Sequence, residues 1–449
     1  MHDVEAAFPP RDAVRQDAKR PFFYGYVIVA LCFLNLVLVG GLMAGFSVFN
    51  VALLEAFRWS RATTAAIASV NGIAYTVLSP LVGWLYDRLG PRVVMPLGGL
   101  LIGIALVLSG GSTSLWQFYL WYGLLAGLGL VCLDFVGTVA LLSYWFRRRR
   151  ATAIGFAAMG MGVGILLVPG LQFLVTRYGW RSAMVLPGVA VLVSQVPLNA
   201  LLQRRRPEDI GQLPDGAWFD AMAPNLAPTE APPPSKPLAA APTARRDWTP
   251  AKALAAFPFW SMAMGHLTAG VGLSLVNTHA VAHLVHAGLD KLAAATVFGL
   301  VGMARIPGTA LWGVASDRMG RDRAYGVATV MALGGIGLLM AAGPESPSWR
   351  LAAFAVLYGA GHSAANATFG ATLTDIFWGR NVATIIGLLE VFYGIGVAFG
   401  PWFGGFAFDV TGSYQYAWML GLLSYTLAYV SIQASMMWKR RFDPQAREG

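Results

Sequence analysis

Long apolar runs recur from one end of this chain to the other, and no other feature restricts its fold as much. Many are 18 residues or longer, the length an α-helix needs to cross a hydrocarbon layer of about 30 Å. The composition agrees. Of the 449 residues, 56% are hydrophobic and 12% are charged, against about 25% charged in an ordinary soluble protein. A soluble chain of this length would divide into domains with polar surfaces. The fold class that follows is an all-α polytopic membrane protein.

Twelve spans are expected, at 24–50, 61–85, 93–110, 116–142, 151–175, 183–202, 257–281, 292–315, 324–342, 350–373, 382–407 and 415–438. They divide the chain into a tail (1–23), a six-helix half (24–202), a linker (203–250), a second six-helix half (251–438) and a second tail (439–449). The first 20 residues are polar, with no apolar core and no small-residue cleavage site, so they do not read as a signal peptide. Ten of the 48 linker residues are proline, including "APPPSKP", which predicts an extended or disordered connection. If both termini and the linker share one face, that face carries 25 of the 32 basic residues, the opposite face carries six, and Arg305 is the remainder. The basic face is therefore expected to be cytoplasmic, in a plasma membrane such as the bacterial inner membrane. The net charge of +10 is then a topology signal, with Arg147 to Arg150 against anionic headgroups. A nucleic-acid partner is not expected, because the basic residues are scattered over many short loops. Cys32 and Cys132 lie inside apolar runs, where packing is their expected role.

The halves repeat. "VGWLYDRLGPR" (Val82 to Arg92) matches "WGVASDRMGRDR" (Trp312 to Arg323), and aligning Gly83 with Gly313 puts Asp87-Arg88 on Asp317-Arg318 and Gly90 on Gly320 at an offset of 230. Further on, an offset of 232 puts Gly155, Gly162, Gly164 and Pro169 on Gly387, Gly394, Gly396 and Pro401. An even number of spans keeps the two halves parallel about an axis normal to the membrane, and such halves can rock around a midplane site. The twice-occurring G-x-x-x-D-R-x-G-x-R loop, together with the twelve spans and central linker, resembles the major facilitator superfamily. Within it, "YWFRRRRATAIGFAAMGMGVG", "ARIPGTALWGVASDRMG" and "GPWFGGFAFDVTGSYQYAW" resemble the monocarboxylate and oxalate/formate carriers. The resemblance implies the major facilitator fold, two parallel six-helix pseudo-repeats. It also implies a gating role for Asp87, Arg88, Asp317 and Arg318, where a carboxylate at one helix end meets a neighbouring helix N-terminus or guanidinium group. A plain charged turn that fixes topology is the alternative.

Three ionisable groups other than histidine fall well inside spans: Asp134, Arg305 and Glu390. Each costs about 2.5–3.5 kcal/mol or more at the bilayer centre when unpaired, so they are expected to face a cavity or one another. A guanidinium grips a carboxylate with a planar fork, and the resemblance implies that Arg305 binds a substrate carboxylate. Pro307, two residues on, is expected to loosen that helix. The alternative is a structural ion pair with Glu390 or Asp134. The repeat puts Tyr75 opposite Arg305, and Asn71, Asn35 and Tyr393 complete the candidate substrate-binding set. The chain departs from the family. Val301 stands where animal monocarboxylate carriers have an aspartate, span one lacks their lysine, and Tyr393 stands where the oxalate/formate carrier has a lysine. A second cation for a dicarboxylate is thus missing, and proton coupling falls to Glu390 first and Asp134 second. Arg305 is expected to hold one of them ionised until the anion takes its place.

His279, His283 and His286 follow a helical spacing near the end of span seven, suited to a gate lining, with a metal or pH-sensing role as alternatives. His266 and His362 are single polar groups inside spans. The glycines of spans five and eleven are expected to allow close helix packing. The functional expectation is a proton-coupled, monomeric secondary carrier of a small organic anion, a monocarboxylate, with no cofactor and no metal. An exporter of larger amphipathic compounds, such as a drug or siderophore, is the alternative. A membrane enzyme or receptor is disfavoured, because no nucleophile with a base, metal cluster, Walker loop or signalling domain is legible.

Overall fold

The computed structural model describes residues 22–146, 149–216, 248–364, 372–373, 376–377 and 382–442, and these are almost entirely helical. Spans one to four are Gly25–Phe57, Arg61–Leu89, Pro91–Gly110 and Leu115–Trp145. Spans five and six run on as Thr152–Leu202, 51 residues. At 1.5 Å per residue that is about 77 Å of helix, far beyond one crossing. Gly179 divides it, with φ 78° and ψ 159°, a conformation open to glycine because it has no Cβ. Spans seven to nine are Phe257–His286, Lys291–Met319 and Arg321–Met340. Span ten is described over Ser348–Ala364, and spans eleven and twelve are Val382–Thr411 and Gln415–Phe442. Ten stretches are long and apolar enough to cross a membrane. Dividing Thr152–Leu202 and adding span ten accounts for all twelve expected segments.

The signature loops have a plain backbone cause. Gly90 (φ 77°) ends span two and Gly320 (φ 88°) ends span eight, and spans three and nine start at the next residue. A one-residue reversal needs positive φ, so each repeat carries a glycine three residues after its aspartate.

The two offsets read from the sequence reappear as contacts. A Cβ added at Gly164 of span five would strike the Val37 carbonyl and Gly41 amide of span one. A Cβ added at Gly396 of span eleven would strike the Leu267 carbonyl and Val271 amide of span seven, the matching atoms of the other repeat. The seams between halves match as well. Gly162 of span five meets Ile306 and Gly302 of span eight, while Gly394 of span eleven meets Thr76 of span two, and Gly72 of span two meets Ala398. Without side chains at these points the backbones touch, which is how helices pack tightly in lipid.

The linker is tied down where it begins. Gln212 Oε1 accepts the Tyr24 amide at 3.0 Å and Gln212 Nε2 donates to the Phe22 carbonyl at 3.0 Å. At its other end Trp248 packs on Phe377 and Trp438, with ring centroids 5.2 and 6.5 Å away.

Two predictions follow from these contacts. Gly164→Val and Gly396→Val are each expected to destabilise the protein by about 1–3 kcal/mol or more through overpacking. Gly155→Val and Gly387→Val, equivalent positions with nothing within 4 Å, are expected to be tolerated; Tm in detergent separates the pairs. Deleting residues 220–240 of the linker is expected to leave Tm and transport unchanged, whereas Gln212→Ala is expected to lower stability by roughly 1 kcal/mol per lost hydrogen bond. A shortening that removes Gln212 would confuse the two effects.

Candidate anion site between the halves

Arg305 sits at the middle of span eight and is 9% exposed. Its helix continues through Pro307, and Thr309 Oγ1 donates to the Arg305 carbonyl at 3.0 Å. Tyr358 of span ten, Tyr393 of span eleven and Tyr425 of span twelve are its electrostatic neighbours, and His362 is another. The Tyr425 hydroxyl lies 3.1 Å from that of Tyr358 and 2.9 Å from His362 Nδ1. The electrostatic neighbours of the guanidinium thus lie on three helices of its own half.

Neither carboxylate at membrane depth pairs with it. The ion pairs among the described residues are His266–Glu390, Lys291–Glu55 and Arg440–Asp322. Glu390 Oε1 lies 3.7 Å from His266 Nε2, across spans seven and eleven. Asp134 accepts a hydrogen bond from the Tyr75 hydroxyl, within the first half. The expected Arg305–carboxylate pair is therefore not formed. Glu390 is held by His266 and Asp134 by Tyr75 instead. Tyr393 joins the three charges, being the electrostatic neighbour of Glu390, Arg305 and Asp134 together.

Asp134 owes its position to a break in span four. Its backbone is extended (φ −70°, ψ 174°) between Ala126–Leu133 and Phe135–Trp145. Irregular backbone at this depth is tolerated where it is buried in protein or lines a cavity.

The other candidates divide. Asn71 lies on the same seam, where its Nδ2 donates to the Tyr122 carbonyl at 3.3 Å and it lines a small cavity of about 40 Å³ with Ser274, Asn277 and Pro401. The widened turn Tyr119–Leu125 holds that carbonyl. Asn35 does not belong to the site. It is fully buried within the first half, with Nδ2 donating to Asn199 Oδ1 at 3.1 Å and Oδ1 accepting from Asn199 and Gln195. A polar residue in an apolar span must find partners, and Asn35 found them on span six. Arg88 and Arg318 are exposed helix-end residues, with the Arg88 guanidinium 5.2 Å from the Trp84 ring centroid. The side chains of Asp87 and Asp317 lie outside the described residues.

The three span-seven histidines take separate partners. His279 Nε2 is 2.7 Å from the Pro401 carbonyl, His283 Nε2 is 2.8 Å from the Leu339 carbonyl, and His286 packs edge-on to Phe408. No cluster able to hold a metal occurs among the described residues. Tyr358 and Tyr425 were not singled out from the sequence, although tyrosines far from the span ends are the signal that marks them.

Residues 31–355 and 306–448 match the Major Facilitator Superfamily model, and the chain belongs to that superfamily. It is a transporter. Among its relatives, Monocarboxylate transporter 11 of Homo sapiens is 30% identical over 429 residues, covering 92% of this chain and 84% of the relative. Monocarboxylate transporter 13 of Rattus norvegicus is 28% identical over 394 residues, covering 87% and 84%. The crystal structure of a D-xylose-proton symporter shares the fold, with a TM-score of 0.68 at 16% identity over 93% of this chain and 98% of that one.

Asn35→Ala is expected to lower stability by about 1–3 kcal/mol, because it leaves buried amides unpaired, and to leave substrate affinity unchanged. Thermal unfolding and KM measured on the same preparation check both halves of that statement.

Proposed function

We propose that this chain carries a small monocarboxylate together with a proton, by alternating access of its two halves to a site at Arg305. One observation carries the reading: a buried guanidinium stands without a carboxylate partner among the described residues while Glu390 and Asp134 are engaged elsewhere. A buried charge without a counterion is costly, and an incoming carboxylate supplies one through two parallel hydrogen bonds. The single cation suits a single carboxylate. Tyr393 is the neighbour that Arg305 shares with both acids and serves as a neutral donor to the rest of the anion. Tyr75, whose hydroxyl proton is given to Asp134, turns to the anion when that bond is released, and Asn71 lines the seam between the halves. The relatives named as monocarboxylate transporters support the same substrate class.

Proton coupling falls to Glu390 with His266 as its partner, and Asp134 with Tyr75 is the second candidate. An anion on Arg305 puts negative charge beside Glu390 through Tyr393, which favours the protonated acid. One proton then moves with one acid, and the loaded site gains no net charge.

The basic face is placed in the cytoplasm of a plasma membrane, with Asp87, Arg88, Asp317 and Arg318 at that mouth. The halves meet along the opposite end, where Gly405 of span eleven lies against the Arg61 backbone of span two and Lys291 of span eight pairs with Glu55 of span one. Those features support a state open towards the basic face. Both halves belong to one chain, so a monomer suffices.

Uptake into proteoliposomes with a panel of labelled organic acids under an imposed pH gradient tests the assignment. Arg305→Lys keeps the charge but loses the fork, and is expected to raise KM by about 10- to 100-fold, the worth of a charged hydrogen bond of roughly 1.5–3 kcal/mol. Unchanged affinity in Arg305→Ala would remove Arg305 from the binding site. Transport of bulky amphipathic compounds in preference to small acids would favour an exporter instead. Glu390→Gln is expected to lose accumulation driven by the pH gradient while keeping exchange of substrate. If Glu390→Gln and Asp134→Asn both still accumulate the acid, neither carries the proton.

A further inference from the structure

We propose that Asp409 is the closing residue of the gate on the opposite face, a carboxylate of one half that caps a helix of the other only while the halves are together. The inference rests on the alternating-access reading, but its test uses no substrate.

The start of span two shows the need. The first four N–H groups of a helix have no partner within it. Ser60, the residue before span two, satisfies one of them, its hydroxyl accepting from the Thr63 amide at 3.1 Å. The first two are satisfied from the other half of the molecule. The Arg61 and Ala62 amides donate to Asp409 Oδ1 and Oδ2 at 2.9 and 2.7 Å. Both carboxylate oxygens are used, on a helix N-terminus whose dipole favours negative charge. These charge-assisted bonds are the stronger kind.

The surroundings hold that geometry. Gly405, one turn before Asp409, lies against the Arg61 backbone, and a Cβ there would stand 2.5 Å from the Arg61 carbonyl carbon. The Arg61 side chain turns to the same half as Asp409. Its Nη1 donates to the Tyr414 hydroxyl at 2.5 Å and its guanidinium lies 3.8 Å from the Phe408 ring centroid. Tyr414 lies between spans eleven and twelve, and burial pushes its phenol up to about 12, so it stays protonated and accepts this bond as a neutral group. Lys291 Nζ and Glu55 Oε2, at 2.5 Å, add a third contact between the halves on this face; being exposed, it contributes little.

The repeat shows that Asp409 is a special provision. Its counterpart in the first half is Arg177. Span eight, the counterpart of span two, is capped by its own Asp290, which accepts the Leu292 and Ala293 amides at 2.8 and 3.1 Å. Span eight keeps its cap however the halves move. Span two loses two bonds when the opposite face opens, so Asp409 biases the protein towards the state closed on that face.

The test reads opening directly. Ala68 lines the small cavity between the halves. Ala68→Cys, in sealed vesicles with the opposite face outward, is treated with a membrane-impermeant thiol reagent. The parent chain serves as the blank, because Cys32 and Cys132 are buried. Asp409→Asn and Asp409→Ala are expected to speed labelling about tenfold or more, since each lost charged bond is worth roughly 1.5–3 kcal/mol, and Asp409→Glu to restore slow labelling. Labelling no faster than the Asp409 parent in both variants overturns the proposal, including where Tm falls, for that outcome marks a plain helix cap. Altered labelling in a protein that fails to carry a monocarboxylate would support the gate and refute the substrate. Normal transport with unchanged labelling would do the reverse.

Discussion

Backbone contact through glycine is the interaction on which the rest of this structure depends. Where Gly164 lies against Val37 and Gly41, and Gly396 against Leu267 and Val271, no side chain separates the helices, and the helix axes are held at the distance set by main-chain atoms. In lipid, packing of this kind replaces the hydrophobic drive that joins helices in water. The same contact occurs once in each half with the same register, so the halves are built alike. The seams at Gly162–Gly302 and Gly394–Thr76 then bring spans five with eight and spans two with eleven to one central region. Arg305, Tyr75 and Glu390 reach it because their helices are parts of those seams.

On this symmetric frame the chemistry is one-sided. Arg305 has Tyr75 as its repeat counterpart, a phenol in place of a guanidinium. Asp134 has the neutral Asn366 as its counterpart. Span eight carries its own cap while span two takes its cap from Asp409. Each departure puts charge on one half alone. Two identical halves would present an anion with two equal charges across the axis, and each cap between them would occur twice. A site with one cation needs the halves to differ there, and packing is insensitive to that difference, so the frame and the chemistry vary independently.

That independence also decides what could be read from the sequence. Span positions, the two repeat offsets and the glycine contacts were legible, because a bilayer demands continuous apolar helices and a close approach demands glycine. Even so, span one runs on to Phe57, past its expected end at residue 50, because 24–50 is already long enough to cross a bilayer and span length does not say where within the apolar stretch to Phe57 the helix stops. The identity of the charged residues at depth was legible for the same reason: few are tolerated there. Their pairing was not. Which acid Arg305 meets depends on side-chain reach across four helices, and the pattern of one chain does not encode it. His266 appeared as an isolated polar residue, yet it is the group beside Glu390. Asn35 appeared as a candidate ligand, yet span six answers it. In both cases the partner is more than 100 residues away in the chain. Asp409 was invisible because its role depends on a contact between halves rather than on its neighbours in sequence.

Arg305, without a carboxylate partner among the described residues, and the Asp409 cap act on the same motion from opposite ends. In the proposed cycle the empty protein holds a guanidinium that water can still reach from the basic face. To turn it away from that face, the halves must close around a charge, and desolvation opposes this. They must also pull Asp409 from span two at the other end. Both terms hold the empty carrier where it is. A carboxylate on Arg305 removes the first term, because the closing cavity then surrounds a neutral pair. The second term remains, but it is a fixed cost of a few hydrogen bonds that water can replace once the opposite face is wet. The loaded carrier therefore turns more readily than the empty one. That difference is what ties movement of the protein to movement of the anion.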